Sequence, residues 1–294
     1  MEGGVLSTVV LPISLFIVML GLGLGLVLDD FRKIKQFPRA FFLGISCQLL
    51  LLPVIAFALC NALNLDPQIA VGLMVLSLCP GGVTSNMFSF LAKGNVALSI
   101  SLTACVSIIT PLTIPLILEW QMAYFLNDAV SVNLPFVKTM VTLIVITIVP
   151  VSIGMLIKNK APSFAEKSDP FVKGISLFLL FLIIAALVAK NWSNLPRFFA
   201  QAGVASLLLN LISMFLGFLI AKAFLKKDEE ITTICIEIGL QNGTTGLFIT
   251  ATLLNNPTMS IAPSVYSLLM FATGACFSLL RAKQLTKKNF PSLS

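Results

Sequence analysis

The sequence predicts an all-α integral membrane protein with nine transmembrane helices. Three observations lead there. Of 294 residues, 57% are hydrophobic and 11% charged, and the mean hydropathy is +1.01, against roughly 45–50% apolar and about 25% charged residues in a soluble domain. The charged residues fall in the gaps between long apolar runs. Two of those runs are broken in the middle by polar, glycine-rich turns. The composition excludes an ordinary soluble enzyme and a disordered chain. The net charge of +7 does not make a nucleic-acid surface, because the basic residues sit between spans.

Taken in order, the first span covers about 6–28. It follows Met1-Glu2-Gly3-Gly4, which lacks a basic stretch, and the run is too long for a cleavable signal. The second, 38–62, carries one amide, Gln48. The third, 67–92, is interrupted by Pro80-Gly81-Gly82-Val83-Thr84-Ser85-Asn86. The fourth, 95–118, holds Ser99 and Thr103, four apart and so on one helix face. The fifth (132–157), sixth (171–189) and seventh (198–224) are uninterrupted. The eighth, 231–254, holds Glu237 and the turn Gln241-Asn242-Gly243-Thr244-Thr245-Gly246, and the ninth is 258–281. Most reach the ~20 residues a bilayer core demands.

Orientation follows from the basic residues. With the N-terminus outside, the inner side holds sixteen of the 19 lysines and arginines. These are Arg32, Lys33, Lys35 and Arg39; Lys93; Lys158, Lys160, Lys167 and Lys173; Lys222, Lys226 and Lys227; and Arg281, Lys283, Lys287 and Lys288. Only Lys138, Lys190 and Arg197 fall outside. An even span count would carry the last cluster outside, so the bias supports nine, with the C-terminus cytoplasmic.

The interrupted spans are third and eighth. Pairing them pairs first with sixth, second with seventh and fourth with ninth, and leaves the fifth alone. Five is odd, so the members of each pair run in opposite directions. An inverted repeat with a broken helix in each half is the pattern of a secondary transporter. The plainer alternative is two helices kinked by glycine for packing alone.

Glu237 is the one acid well inside a span. A carboxylate at the bilayer centre costs about 2.5–3.5 kcal/mol on insertion scales, so it needs a partner or a cavity. No Lys or Arg lies deep in a span, and the chain has no histidine. A metal cation is the natural remaining partner; the alternative is a protonated Glu hydrogen-bonded within the bundle. Neutral oxygens gather near both breaks: Ser85, Asn86, Ser99, Thr103, Gln48, Gln241, and the carbonyls of Ile238 and Leu240 if the backbone there unwinds. All-oxygen ligation with a single carboxylate suits a monovalent hard cation, since calcium sites recruit more negative charge. Each hydroxyl alone is weak, because Ser and Thr in helices commonly bond the i−4 carbonyl. The six cysteines, Cys47, Cys60, Cys79, Cys105, Cys235 and Cys276, show no CxxC spacing and lie in apolar runs, so they read as packing residues. With no histidine and one buried acid, an intramembrane enzyme is a poor fit.

At Cys79-Pro80-Gly81-Gly82, Ser85-Asn86, Lys93-Gly94-Asn95, Leu98-Ser99 and Thr103 the chain resembles the bile acid:sodium symporter family. Glu237, Gly239, Gln241 and Asn242 fit that family's second signature, and the resemblance runs the length of the chain. It implies a single transporter unit over 1–294. A panel domain is expected at about 6–62 and 132–224, less the helix 132–157. A core domain is expected at about 67–118, 132–157 and 231–281, with the two broken helices crossing in it. It implies two Na⁺ ions. One would use Ser85, Asn86, Ser99, Thr103 and Glu237. The other would use Gln48, Glu237, Gln241 and the carbonyls of Ile238 and Leu240. Asn242 matches a substrate-contacting asparagine; Gly243 and Thr244 beside it, and Val83 and Thr84 at the first break, complete the expected substrate set. Two departures bear on the substrate. Val83 stands where several members present a polar side chain, and Leu269-Met270-Phe271-Ala272-Thr273 lacks the His-Asn pair of bacterial bile-acid binders.

The function expected is thus Na⁺-coupled symport of an organic anion, with small acids such as pantoate at least as plausible as bile salts. A membrane sensor or a channel of the same fold is the competing expectation; a channel calls for a continuous polar stripe, whereas the polar residues here cluster at two breaks. The partners expected are Na⁺, the anion and membrane lipid, with no nucleic acid and no obligate protein partner. The sequon Asn191-Trp192-Ser193 would lie outside, and the setting expected is a bacterial inner membrane.

Overall fold

The structure is a computed structural model, and it describes residues 2–126, 136–190 and 195–289. The sequon at 191–193 lies outside them. Every regular element among the described residues is helical. Helix α1 runs over 2–24 with a π turn at Leu6–Val10, and a short helix α2 spans Leu28–Lys33. Helix α3 is Pro38–Ala62 with a π turn at Cys47–Leu51. Then come α4 (Pro67–Ser77), α5 (Val83–Leu91), α6 (Val96–Leu126), α7 (Phe136–Lys160), α8 (Pro162–Lys190) and α9 (Leu195–Phe224). Helix α10 is Asp228–Gly239, α11 is Gly243–Leu247 continuing as a π turn over Phe248–Leu253, and α12 is Ile261–Asn289.

Seven helical stretches among the described residues are long and apolar enough to cross a membrane. The two expected spans missing from that set are the interrupted ones, now seen as α4–α5 and α10–α11. At 1.5 Å per residue, the 11 residues of α4 reach roughly half of a ~30 Å hydrocarbon core. Pro80 ends α4: with no N–H it cannot donate to Leu76, and Cys79 N instead closes a tight turn on Leu76 O at 3.0 Å. In the other break the chain is extended at Leu240 (φ −113°, ψ 108°) and Asn242 (φ −78°, ψ 90°). The Asn242 side chain then caps α11, accepting from Thr245 N at 3.1 Å.

Several limits differ from the sequence expectation, among them the end of the ninth span, which runs on from 281 to Asn289. The first span stops at Leu24, where Gly25 leaves the helix, and Leu28–Lys33 forms α2 with Asp30 accepting from Val27 N at 2.9 Å. The fourth runs on to Leu126, so that Trp120 and Tyr124 stack beside Phe57 and Tyr124 Oη donates to Asn61. The sixth starts at Pro162, nine residues early, because its first turns are polar and escape a hydropathy reading. Pro is tolerated there, where the helix needs no N–H donor.

Helix α1 lies along α7 and α8. Helix α9 lies along α10, α12 and α3, and α4 packs on α12, α6 and α3. The α1–α7 contact is backbone on backbone. A Cβ on Gly23 would stand 2.2 Å from Val151 O, and one on Gly154 2.5 Å from Leu20 O, so only glycine admits this approach. Phe42, Leu50 and Val54 on α3, Phe215 on α9 and Leu279 on α12 are exposed, as befits faces toward lipid.

Candidate functional site

The two breaks are tied together. Asn242 N donates to Pro80 O at 2.8 Å, and Gln48 Nε2, in the π turn of α3, donates to Cys79 O at 3.2 Å. π turns displace a side chain from the helical register and recur at functional sites. Here the turn turns an amide toward both breaks.

Glu237 occupies the last turn of α10 and is 3% exposed. Its Oε1 accepts from Ser99 Oγ at 2.5 Å and its Oε2 from Thr103 Oγ1 at 2.9 Å. Ser99 Oγ also reaches Asn86 Oδ1 at 2.8 Å, and Ser85 Oγ stands 3.4 Å from Thr103 Oγ1. The structure thus brings Ser85, Asn86, Ser99, Thr103 and Glu237, expected as one set, into a single cluster between α5, α6 and α10. No Lys or Arg pairs with Glu237 among the described residues. Gly81 permits the approach: a Cβ there would lie 2.8 Å from Glu237 Oε2.

The second expected set lies one turn further on. Gln48 Nε2 donates to Gln241 Oε1 at 2.6 Å, and Gln241 Nε2 donates to Ile238 O at 2.8 Å. Gln48 Oε1 is buried and has no hydrogen-bond partner. A buried acceptor without a donor is costly, at about 1–3 kcal/mol, and a small cation would satisfy it. Leu240 is the extended residue that joins this set to the break. These oxygens fit Na⁺: all are hard donors, one is charged, and the C-terminal end of α10 turns its partial negative charge toward them.

Beside this cluster is a cavity of about 210 Å³, lined by all five residues of the expected substrate set: Val83, Thr84, Asn242, Gly243 and Thr244. Met270 and Phe271 form its apolar side. An adjoining cavity of about 380 Å³ shares Gly21, Val83, Met87 and Lys173 with it and extends to Gly25, Phe90 and Asp169.

Three residues at the site escaped the sequence reading. Asn210 Nδ2 and Tyr266 Oη both donate to Gly239 O, at 2.7 and 2.9 Å, and so hold the carbonyl that the break leaves unpaired. The signal was a lone amide in the middle of the seventh span and a tyrosine inside the ninth. Lys173, read as an inner-side charge, lies on α8 in the wall of both cavities.

Residues 12–198 match the profile of the sodium bile acid symporter family. The chain is 29% identical to an uncharacterised sodium-dependent transporter, YocS, of Bacillus subtilis, over 97% of this chain and 86% of that protein. It is 29% identical to the human ileal sodium/bile acid cotransporter, over 81% of this chain and 67% of that one. It is 28% identical to a chloroplastic protein of Arabidopsis thaliana named a probable sodium/metabolite cotransporter, over 87% of this chain but 62% of that protein's length.

Proposed function

Because this integral membrane chain belongs to the sodium bile acid symporter family, we propose that it couples entry of an organic anion to two Na⁺ ions by alternating access, in a bacterial inner membrane. The carrying observation is the buried Glu237, held by Ser99 and Thr103 between two broken helices and next to the 210 Å³ cavity. In this reading Ser85, Asn86, Ser99, Thr103 and Glu237 hold one ion. Gln48, Glu237, Gln241 and the carbonyls of Ile238 and Leu240 hold the other, the Gln48 and Gln241 amides turning their oxygens to it. Two ions and one carboxylate leave the site with one positive charge, which a monoanion neutralises. Sodium therefore binds first, since the empty site carries a lone negative charge that repels the substrate. The anion sits by Asn242, Gly243, Thr244, Val83 and Thr84, where helices α5 and α11 begin and offer N–H groups. A cycle that moves one net charge gains about 2.3 kcal/mol per 100 mV.

The two-body division that alternating access needs is supported by packing: α1, α7 and α8 as the panel, and the remaining long helices with both breaks as the core. This moves 136–160 to the panel, and 38–62 and 195–224 to the core. Nine spans with the N-terminus outside follow if each interrupted pair crosses once. The crevice then opens at Gly25, Phe90 and Asp169, at the cytoplasmic ends of their helices. The experiment is counterflow in proteoliposomes with labelled pantoate and labelled taurocholate, each with Na⁺ and with K⁺ inside and out. Na⁺-dependent exchange of either supports symport; binding without exchange makes the chain a sensor.

A further inference from the structure

Of the residues lining the 210 Å³ cavity, Lys173 is the one with a formal charge. Its Nζ is 2.5 Å from Asp169 Oδ2, one helical turn earlier on α8, and its side chain is 44% exposed. This is not an ordinary surface pair. It stands in the wall shared by the cavity at the breaks and the crevice leading to it. It is also one-sided, because Asp169 Oδ1 is buried with no hydrogen-bond partner. The same lining includes Asn242 and Thr84, which are neutral, and Phe271, which is apolar.

We propose that Lys173 is the charge-reading residue of this cavity: its ammonium binds the anionic group of the substrate, and Asp169 occupies that ammonium while the cavity is empty. The assignment rests on the anion-symport reading above and deepens it. A lysine ammonium is a compact point charge with three rotatable donors. It can leave one carboxylate for another without moving its helix. Asp169 is a weak competitor, since it holds the ammonium through Oδ2 alone and leaves its buried Oδ1 without a partner. An incoming anion that is also favoured by the sodium-loaded breaks displaces it. The same pair explains selectivity: a neutral ligand cannot replace Asp169, so it enters without the lysine.

The test is thermal stabilisation of the purified full chain by pantoate, by taurocholate and by pantolactone, the neutral lactone of pantoate, in Na⁺ and in K⁺ buffers. Lys173→Gln is expected to raise the half-saturating concentration of the anions by about tenfold or more. The response to pantolactone and to Na⁺ alone stays as in the wild type. Lys173→Arg retains anion binding. Asp169→Asn, by freeing the ammonium, lowers the half-saturating anion concentration, and it decides the matter if Lys173→Gln does not fold. Unchanged anion affinity in Lys173→Gln overturns the assignment, as does a wild type that binds neither anion in either buffer. If Na⁺ has no effect but anion affinity still falls in Lys173→Gln, sodium coupling fails and the assignment stands.

Discussion

Glu237 is a carboxylate with two hydroxyl donors and no basic partner among the described residues. Replacing it by Gln keeps its size and removes the one charge both proposed ion sites share. Sodium-driven uptake is expected to be abolished while membrane insertion is retained, and wild-type uptake at saturating Na⁺ would contradict a shared site. Ser99→Ala and Thr103→Ala each remove one neutral oxygen from the cluster. If such a ligand contributes about 1 kcal/mol, the Na⁺ concentration for half-maximal uptake rises roughly fivefold in each. An unchanged Na⁺ dependence in both variants reduces the hydroxyls to props for the carboxylate. Transport assays across an Na⁺ series, with K⁺ keeping ionic strength constant, read both outcomes.

At the scale of elements, the breaks matter more than the helices they join. Gly81 lies in the first break, where a methyl group would meet the Glu237 carboxylate at 2.8 Å. Gly82, next to it, would meet nothing closer than Thr84 Oγ1 at 3.5 Å. Gly81→Ala should therefore weaken Na⁺ binding several-fold, since overpacking costs about 1–3 kcal/mol. Gly82→Ala should leave the Na⁺ dependence alone; calorimetric Na⁺ titration of the two variants separates them. Both breaks were legible in the sequence, because a Pro-Gly-Gly run and a Gln-Asn-Gly run interrupt stretches that are otherwise apolar enough to span. The contacts of Glu237 were legible for a related reason: a single acid in an apolar run needs company, and two hydroxyls four apart on the fourth span supply it. The partners of α7 were not legible. Hydropathy has no record of which glycine faces which backbone, and Gly23 against Val151 is a match of shape. Lys173 was read only as an inner-side charge, because it stands at the third residue of the expected sixth span and a sequence does not say which helix face lines a cavity.

For the molecule as a whole, the cavity predicts the size of the cargo. Its apolar side at Met270 and Phe271 leaves few side-chain donors away from the breaks. A large polyhydroxylated ligand would bury unpaired hydroxyls, at roughly 1–3 kcal/mol each. A small monocarboxylate is therefore expected to compete better than taurocholate for Na⁺-dependent binding, and Asn242→Ala to weaken that binding while sparing Na⁺. Side-by-side calorimetry in Na⁺ buffer gives the order, and the opposite order returns bile salts to first place.

The distance along the chain between Glu237 and its donors has a consequence for biosynthesis. Ser99 and Thr103 precede Glu237 by 138 and 134 residues, and synthesis delivers the N-terminal part first. The hydroxyls are thus made first and are free to bond their own helix until the carboxylate leaves the ribosome. The acid arrives last, into a half-built nest, and need not wait alone in lipid. Had the halves been made in the reverse order, the costliest group in the membrane would have been inserted first and left longest without a partner.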